Sequence, residues 1–158
     1  VEVPAAVYQA REFAKRVGFL SVGSNDLTQY LLAVDRNNPR VADIYQAFHP
    51  AVLQALQHVV SDGHAEGRKV GICGELAGEP GAAVLLMAMG YDVLSMNATT
   101  LPKVKSVIRN ISMKKAKEIL AHVMTMESAA DIREYIDQSI EETTSQRLVK
   151  AMMAEPAL

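Results

Sequence analysis

The sequence predicts an α/β fold in which parallel strands alternate with helices. Three short runs of β-forming residues, 19–22, 69–73 and 93–96, are separated by longer stretches that have the apolar spacing of helices. Strand–helix units in series are right-handed, so their strands are parallel and all strand ends open on one face. The chain has 158 residues, 49% of them hydrophobic, which is enough for one domain with a real core.

Boundary residues support the individual elements. Pro4 suits a helix start, Gly67 and Gly90 suit helix ends, and Ser112 suits an N-cap. The predicted order is a strand end at 1–3, helix 5–17, strand 19–22, helix 27–34, a turn-rich segment 37–49, helix 50–66, strand 69–73, helix 79–89, strand 93–96, and helices at 101–109, 113–123 and from about 128 into the 140s.

Apolar spacing identifies the buried sides of two helices, and the residue pattern separates a domain from a C-terminal tail. The apolar side of the first helix would comprise Ala6, Phe13, Ala14 and Val17, and that of helix 50–66 would comprise Val52, Leu53, Leu56, Val59 and Val60. Residues 1–142 are predicted to form the domain. Residues 143–158 are predicted to form a helix end and a tail that is frayed from residue 148 onward.

A cluster of polar residues follows the first complete strand, which Gly23 ends. Ser24, Asn25 and Asp26 come next, where a loop would present them at the carboxyl edge of the sheet. Arg36 lies ten positions after Asp26 and can return to the same pocket. A carboxylate, an amide and a guanidinium suit a metal ion that carries a phosphate-bearing ligand. The simpler interpretation is a helix N-cap at Asn25 or Asp26, with Arg36 on the surface.

Another polar group stands at the end of strand 69–73. Cys73 is the only cysteine, and Gly74 and Glu75 follow it. A lone cysteine is most often a buried, inert thiol. At a strand end that faces the same edge as Asp26, a thiol that is protonated at neutral pH can instead serve as a general acid. Asn97 ends the last strand, where a ligand contact and a strand-end cap are equally suited to it.

Composition excludes several classes of partner. The net charge of −2 gives no electrostatic reason to expect nucleic-acid binding. No run of about 18 apolar residues occurs, so no membrane-spanning segment is predicted. A single cysteine rules out an internal disulfide and suits a reducing compartment, which makes the cytoplasm the predicted location. His49, His58 and His64 do not have the spacing of metal ligands.

Three long motifs resemble one family. They are GSNDLTQYLLAVDR at 23–36, ICGELAG at 72–78 and LSMNATTLPKVKSVIRN at 94–110. The chain resembles the phosphoenolpyruvate-binding domain of Enzyme I, the phosphoenolpyruvate–protein phosphotransferase of bacterial phosphotransferase systems. The segment LTQYLLAVDRNNPRVADIY, followed by HPAVLQAL, is most similar in sequence to the nitrogen-related branch of that family. The family usually has threonine where Ser24 stands, and serine keeps the hydroxyl.

The resemblance implies a fold and an assembly. The expected fold is the C-terminal half of a phosphoenolpyruvate-binding (β/α)8 TIM-type barrel with extra C-terminal helices, because a complete barrel takes about 250 residues. In this family an N-terminal domain, which this chain lacks, carries the histidine that accepts the phosphoryl group and passes it to a phosphocarrier protein. The resemblance also implies a homodimer, and the fragment alone is predicted not to turn over.

The resemblance assigns roles to five residues. It implies that Glu2 and Asp26 bind Mg²⁺, although the sequence alone would favour a solvated N-terminal charge for Glu2. It implies that Asn25 and Arg36 bind the phosphate of phosphoenolpyruvate. It makes Cys73 the proton donor that converts the enolate into pyruvate.

Three alternatives remain open. One is a pyruvate phosphate dikinase or phosphoenolpyruvate synthase, which shares the pattern around Asp26 and Cys73. Another is a non-catalytic dimerisation module. The third is a magnesium-dependent barrel lyase that acts on a keto acid, which would need neither Arg36 nor the thiol.

Overall fold

A small parallel sheet forms the centre of the fold. The computed structural model describes residues 1–154, and it describes the side chains of residues 1–143. The strands are β1 (Phe19–Gly23), β2 (Lys69–Cys73) and β3 (Val93–Ser95), which are parallel and ordered β1-β2-β3. The predicted α/β class and the parallel arrangement of the strands are therefore confirmed.

The first residue of the chain adds one pairing to this sheet. The backbone nitrogen of Gly23 donates to the carbonyl of Val1 over 3.0 Å, and the amino group of Val1 donates to the carbonyl of Ser21. These two bonds are the pattern of parallel strands, and they set Val1 beside Val22. Val3 is also extended, with φ −132° and ψ 152°. Residues 1–3 thus lie along the outer edge of β1, as expected of a strand end.

Helices occupy most of the remaining chain, and two short 3-10 turns lie between them. They are α1 (Pro4–Tyr8), α2 (Ala10–Ala14), α3 (Ser24–Leu31), α4 (Pro50–Ala65), α5 (Pro80–Met89), α6 (Leu101–Asn110), α7 (Met113–Val123) and α8 (Ala129–Ala154), with 3-10 turns at Ala42–Ile44 and Leu76–Gly78. Among the residues that the structure describes, none of the helices combines the length and the hydropathy that crossing a bilayer requires.

The sheet is buried on one face only. Leu20, Val22, Val70 and Ile72 are each at most 5% exposed beneath the helices. On the opposite face Phe19 is 67% exposed, and no described segment covers it. The apolar run at 19–22, which is typical of a buried strand, is therefore buried on one side only. Side chains alternate across a strand, and the described helices supply a cover for only one of the two sets.

The first predicted helix is divided. Its backbone breaks at Gln9, where φ is −111° and ψ is 10°, so that α1 and α2 replace a single helix. The predicted apolar side is also wrong in part, because Phe13 is 40% exposed. The residues that enter the core are Val7, Ala10 and Ala14. The break turns this set toward α4.

Apart from α3, which spans Ser24–Leu31 where 27–34 is predicted, the other helices match their predicted positions more closely. The apolar stripe of α4 is buried as predicted, with Leu56, Val59 and Val60 fully inaccessible. Ser112 caps α7 by accepting a hydrogen bond from the nitrogen of Lys115 over 3.1 Å. The last helix continues through residues 148–154, where fraying is predicted, and residues 155–158 of that tail lie outside the described residues.

Candidate functional site

The carboxyl ends of the strands carry the predicted site residues. We call Glu2, Asn25, Asp26, Arg36 and Cys73 the edge cluster. Gly23 and Cys73 are partners in the register of β1 and β2, so these two strands end side by side. Asn25 and Asp26 follow Gly23 directly in the chain. The structure therefore brings residues from three chain segments to one edge of the sheet.

Glu2 reaches the cluster because Gly23 has no side chain. A Cβ atom at Gly23 would lie 2.5 Å from Oε1 of Glu2 and 2.7 Å from its Cγ, which is closer than atoms can approach. The Glu2 side chain thus crosses the end of β1 directly before the start of α3. Within the described part of the chain, its carboxylate makes no hydrogen bond and no ion pair. A carboxylate without a protein partner at a strand end is available to a ligand.

Helix α3 begins earlier than predicted, and this changes the surroundings of Asn25. Its N-cap is Gly23 and its first residue is Ser24, so neither Asn25 nor Asp26 is an N-cap and neither lies in a loop. Oδ1 of Asn25 instead accepts a hydrogen bond from the nitrogen of Glu75 over 3.1 Å. The simple N-cap interpretation of this motif is therefore wrong. The side chain holds the start of α3 to the loop after β2.

Ser24 and Gly74 complete this connection. Oγ of Ser24 donates a 2.8 Å hydrogen bond to the carbonyl of Cys73. Gly74 has φ +110°, a backbone conformation that favours glycine, and a Cβ there would collide with Ser24 and lie 2.9 Å from Oδ1 of Asn25. The ends of β1 and β2 are therefore joined by two side chains that need a glycine beside them.

Asp26 and Arg36 form an ion pair at the rim of the cluster. Nη2 of Arg36 lies 3.5 Å from Oδ1 of Asp26, and the two side chains are 34% and 41% exposed. The backbone nitrogen of Arg36 donates to Oε1 of Gln29 over 3.2 Å. Nη1 of Arg36 is buried and has no hydrogen-bond partner in the described structure. Because a buried guanidinium nitrogen without a partner is costly, it favours an incoming anion.

The thiol of Cys73 is exposed and is not part of the core. It donates a weak hydrogen bond to the carbonyl of Val22 over 3.5 Å, across the end of β1. The interpretation of Cys73 as a buried, inert thiol is therefore wrong. Its side chain alternates with the buried Ile72, so it belongs to the face of the sheet that the described helices leave open.

Two cavities border the cluster. One encloses about 460 Å³ between α3, the 3-10 turn after β2 and the start of α8, and its walls include Asn25, Thr28, Tyr45 and Arg133. The other, of about 580 Å³, lies at the ends of β2 and β3. Asn25 lines both, whereas Glu2, Asp26, Arg36 and Cys73 line neither. The acidic and thiol groups of the cluster thus stand at an open edge.

The two carboxylates suit one type of metal ion. No group of three or more His, Cys, Asp or Glu side chains is arranged to hold a metal within the residues that the structure describes. Mg²⁺ does not need such a group, because it keeps several waters and binds through one or two carboxylates together with substrate phosphates. Glu2, which has no protein partner, and Asp26 therefore fit Mg²⁺ better than a metal that requires a full set of protein ligands.

Two further polar residues lie near the edge. Asn97 accepts a hydrogen bond from the nitrogen of Thr99 over 3.2 Å, so its side chain caps the turn after β3. Tyr45 has no predicted role, and yet its hydroxyl donates to the carbonyl of Asn25 over 3.3 Å. It lies in the turn-rich segment 37–49, which has no apolar periodicity that could indicate the contact.

Comparisons with known proteins identify the family. The sequence model described as "PEP-utilising enzyme, PEP-binding domain" matches residues 1–113. The chain is 42% identical over 144 residues to the phosphoenolpyruvate-protein phosphotransferase of Haemophilus influenzae, over 91% of the chain and 25% of that relative. It is 40% identical over 139 residues to the protein of that name from Bacillus sp., over 88% of the chain and 24% of the relative.

A third relative is the multiphosphoryl transfer protein 1 of Escherichia coli, which is 45% identical over 132 residues, 84% of the chain and 16% of the relative. The chain thus spans about a quarter or less of the length of these curated relatives. The family match covers the whole edge cluster, from Glu2 to Cys73. Because that match extends over most of the chain, the chain belongs to the PEP-binding domain family of the PEP-utilising enzymes.

Proposed function

We propose that this chain supplies the phosphoenolpyruvate-binding side of the active site of a phosphoenolpyruvate–protein phosphotransferase. The observation that carries the proposal is the pair formed by Asp26 and Arg36. Asp26 offers anionic oxygens to a cation, and Arg36 keeps a buried nitrogen without a partner that an anion would satisfy. The names of the relatives support phosphoryl transfer as the reaction class.

Glu2 and Asp26 would hold Mg²⁺. Glu2 can turn toward the metal because no described group competes for its carboxylate. Asp26 is steadied by Arg36 on one oxygen and lies in the first turn of α3, where the helix dipole favours a negative charge. When bound, the metal neutralises charge on the carboxylate and the phosphate of phosphoenolpyruvate.

Arg36 and Asn25 would bind the phosphate. The unpartnered Nη1 of Arg36 donates to a phosphate oxygen while Nη2 stays near Asp26. Oδ1 of Asn25 already accepts a hydrogen bond from Glu75, which leaves the NH₂ group of the amide as the donor to a second oxygen. The same contact fixes the orientation of that amide.

Cys73 would complete the reaction as the general acid. The bond between phosphorus and the enol oxygen breaks, and the phosphoryl group passes to a histidine outside this chain. The electron pair stays on oxygen as an enolate. The thiol of Cys73 then gives its proton to the terminal carbon, which yields pyruvate, and the thiolate recovers a proton from water. The exposed position of the thiol allows both transfers.

The same proposal extends to the assembly. The open sheet face, on which Phe19 and Val93 are 67% and 51% exposed, suits further strands of a (β/α)8 barrel. The length of the relatives leaves room for those strands and for the domain that carries the acceptor histidine. We propose a homodimer, a phosphocarrier protein as the final acceptor, a cytoplasmic location and the nitrogen-related branch on the sequence grounds given above.

The proposal predicts binding of phosphoenolpyruvate that depends on Mg²⁺. Calorimetric or ³¹P NMR titration of the chain would measure it, with and without the metal. Arg36→Ala should weaken binding by roughly tenfold or more, because a charged hydrogen bond to the phosphate is lost. Arg40→Ala is the matched control, since Arg40 is an exposed arginine four positions away. Binding that ignores Mg²⁺, or that is unaffected in Arg36→Ala, would refute the proposal.

A further inference from the structure

We propose that Tyr45 is a positioning residue whose hydroxyl orients the Arg36 guanidinium beside Asn25 and Asp26. The inference rests on the proposed function, because it gives Tyr45 a role in presenting Arg36 to an anionic substrate. It concerns a residue outside the edge cluster. Tyr45 and Arg36 contact neighbouring residues of α3, Tyr45 at the carbonyl of Asn25 and Arg36 at the side-chain carboxylate of Asp26.

These two contacts bring the side chains of Tyr45 and Arg36 to the start of α3. The hydroxyl of Tyr45 donates to the carbonyl oxygen of Asn25 over 3.3 Å. The next residue, Asp26, holds Nη2 of Arg36 at 3.5 Å from its Oδ1. Both contacts are longer than the best hydrogen bonds, so each alone restrains its partner only loosely. Together they place the phenol and the guanidinium at the same first turn of α3.

Unsatisfied groups surround the Tyr45 hydroxyl. Oγ1 of Thr28 and Nη1 of Arg36 are both buried, and neither has a hydrogen-bond partner of good geometry. Burial raises the pKa of Tyr45, whereas the approach of Thr28 and Arg36 to its hydroxyl oxygen acts in the opposite direction. Both donors therefore face an oxygen that can accept from them.

The segment that carries Arg36 has few other attachments near this site. Between α3 and α4 the only regular structure in the described chain is the short turn Ala42–Ile44. Arg36 is joined to α3 through its backbone nitrogen and Gln29, and its side chain is joined to α3 by the 3.5 Å ion pair with Asp26. An arginine loses rotamer entropy when its side chain is ordered. A hydroxyl that limits those rotamers before the substrate arrives reduces that cost at binding.

The far end of this segment is firmly held. Phe48 is 3% exposed, and Cζ of Arg133 lies 4.7 Å from the centre of its ring. Arg133 also forms a two-point ion pair with Glu79, with distances of 2.6 Å and 3.3 Å. Tyr45 lies three residues before Phe48, so the backbone that carries its ring is held in place close by. From there its hydroxyl contacts α3. This geometry suits a positioning role for Tyr45.

Nuclear magnetic resonance on the 158-residue chain tests the inference without any ligand. The probe is the Nε–Hε signal of Arg36, assigned by its loss in Arg36→Lys. Tyr45→Phe removes only the hydroxyl, and we expect it to shift this signal and to lower its ¹H–¹⁵N heteronuclear NOE. Tyr30→Phe is the matched control, since Tyr30 is a 54% exposed tyrosine on α3. An unchanged Arg36 signal in Tyr45→Phe would overturn the inference.

A double-mutant cycle adds a functional measurement. Tyr45→Phe should weaken phosphoenolpyruvate binding by about tenfold in the wild-type background and have almost no effect in the Arg36→Ala background. A general loss of structure would weaken binding equally in both, and equal effects would therefore contradict the role. A wild-type chain that binds no phosphoenolpyruvate would refute the proposed function, and the NMR comparison would still decide whether Tyr45 orders Arg36.

Discussion

Nη2 of Arg36 lies 3.5 Å from Oδ1 of Asp26, and the two side chains belong to opposite ends of the same helix–loop unit. Since both are about a third or more exposed, the pair contributes little to folding stability. Its consequence is geometric. It places a cationic donor and an anionic acceptor side by side, which a metal ion and a phosphate together require.

Loss of either carboxylate should weaken metal binding. Asp26→Asn and Glu2→Gln each remove one of the two proposed anionic ligands, and we expect the Mg²⁺ concentration for half-maximal phosphoenolpyruvate binding to rise by about tenfold or more. Asp43→Asn is the control, because Asp43 is an exposed carboxylate in the 3-10 turn between α3 and α4. The same half-saturation in both variants as in the wild type would remove them from the metal site.

Gly23→Ala should weaken metal binding and leave the stability of the fold nearly unchanged. The new Cβ would occupy space 2.5 Å from Oε1 of Glu2 and force that side chain to move. The Glu2 side chain is exposed and flexible, and the φ of −89° at Gly23 suits alanine, so the free energy of unfolding should change by less than about 1 kcal/mol. Metal affinity should fall as it does in Glu2→Gln.

Gly18→Ala is the matched control for this substitution, because no atom lies within 4 Å of a Cβ added at Gly18. Thermal unfolding and Mg²⁺ titration would be measured on both variants. A Gly23→Ala chain that binds Mg²⁺ as the wild type does would mean that Glu2 reaches the metal from another direction, or that it is not a ligand.

Local signals in the sequence were sufficient for most of the fold. The β-forming runs identify all three strands, the stripe on α4 identifies a buried helix face, and Ser112 identifies a cap. Each depends on residues within a few positions of one another. The start of α3 could not be predicted in this way. The side chains of Ser24 and Asn25 bond to residues 73 and 75, about 50 positions away in the chain.

The candidate site was predictable to the same extent. Residue types and strand ends indicate Asn25, Asp26 and Cys73, and the family resemblance adds Glu2. Two contacts depend on tertiary packing, which produces no periodic pattern in the sequence. They are the approach of Glu2 to Gly23 and the hydrogen bond from Tyr45 to Asn25. The exposure of Cys73 likewise depends on which face of the sheet the helices cover.

Asp92 should make the stability of the fold depend on pH. Its Oδ2 accepts hydrogen bonds from His64 Nε2 over 2.9 Å and from the nitrogen of Val70 over 2.8 Å. The contact with His64 is the larger cause, and that with Val70 the second, of a lowered pKa at Asp92. A carboxyl with a lowered pKa in the folded state stabilises the fold above its unfolded pKa of about 3.9. That stability is lost as pH falls through the folded pKa.

Asp92→Asn should therefore lower the free energy of unfolding by about 1 kcal/mol at pH 6, since the side chain is partly exposed. The difference from the wild type should shrink as the pH is lowered below 4. Urea unfolding at several pH values measures it, with the exposed Asp137→Asn on α8 as the control. A constant difference between pH 6 and pH 2 would show that the charge of Asp92 is not the cause.

Removal of the Cys73 thiol should lower turnover and leave substrate binding nearly unchanged. The thiol is neutral when it acts as an acid, so Cys73→Ala in the complete phosphotransferase should bind Mg²⁺ and phosphoenolpyruvate nearly as the wild type does. Transfer of the phosphoryl group to the acceptor histidine can proceed, because the enolate remains a tolerable leaving group. Protonation of carbon then depends on water. The loss of one positioned acid typically lowers the rate by about 10²–10⁴-fold, and we expect turnover to fall by that order.

The direction from which the proton arrives provides a sharper test. Cys73 stands on one side of the strand end, with its sulfur 3.5 Å from the carbonyl of Val22, so it can deliver a proton to only one face of the enolate. In D₂O the wild type should give chirally labelled pyruvate from a substrate labelled at its terminal carbon, whereas Cys73→Ala should give a racemic product because water approaches both faces. Cys73→Ser, which keeps the size of the side chain but is a much weaker acid, should resemble Cys73→Ala in rate. Wild-type turnover with intact facial selectivity in Cys73→Ala would show that another group protonates the enolate and that the exposed thiol has no part in the reaction.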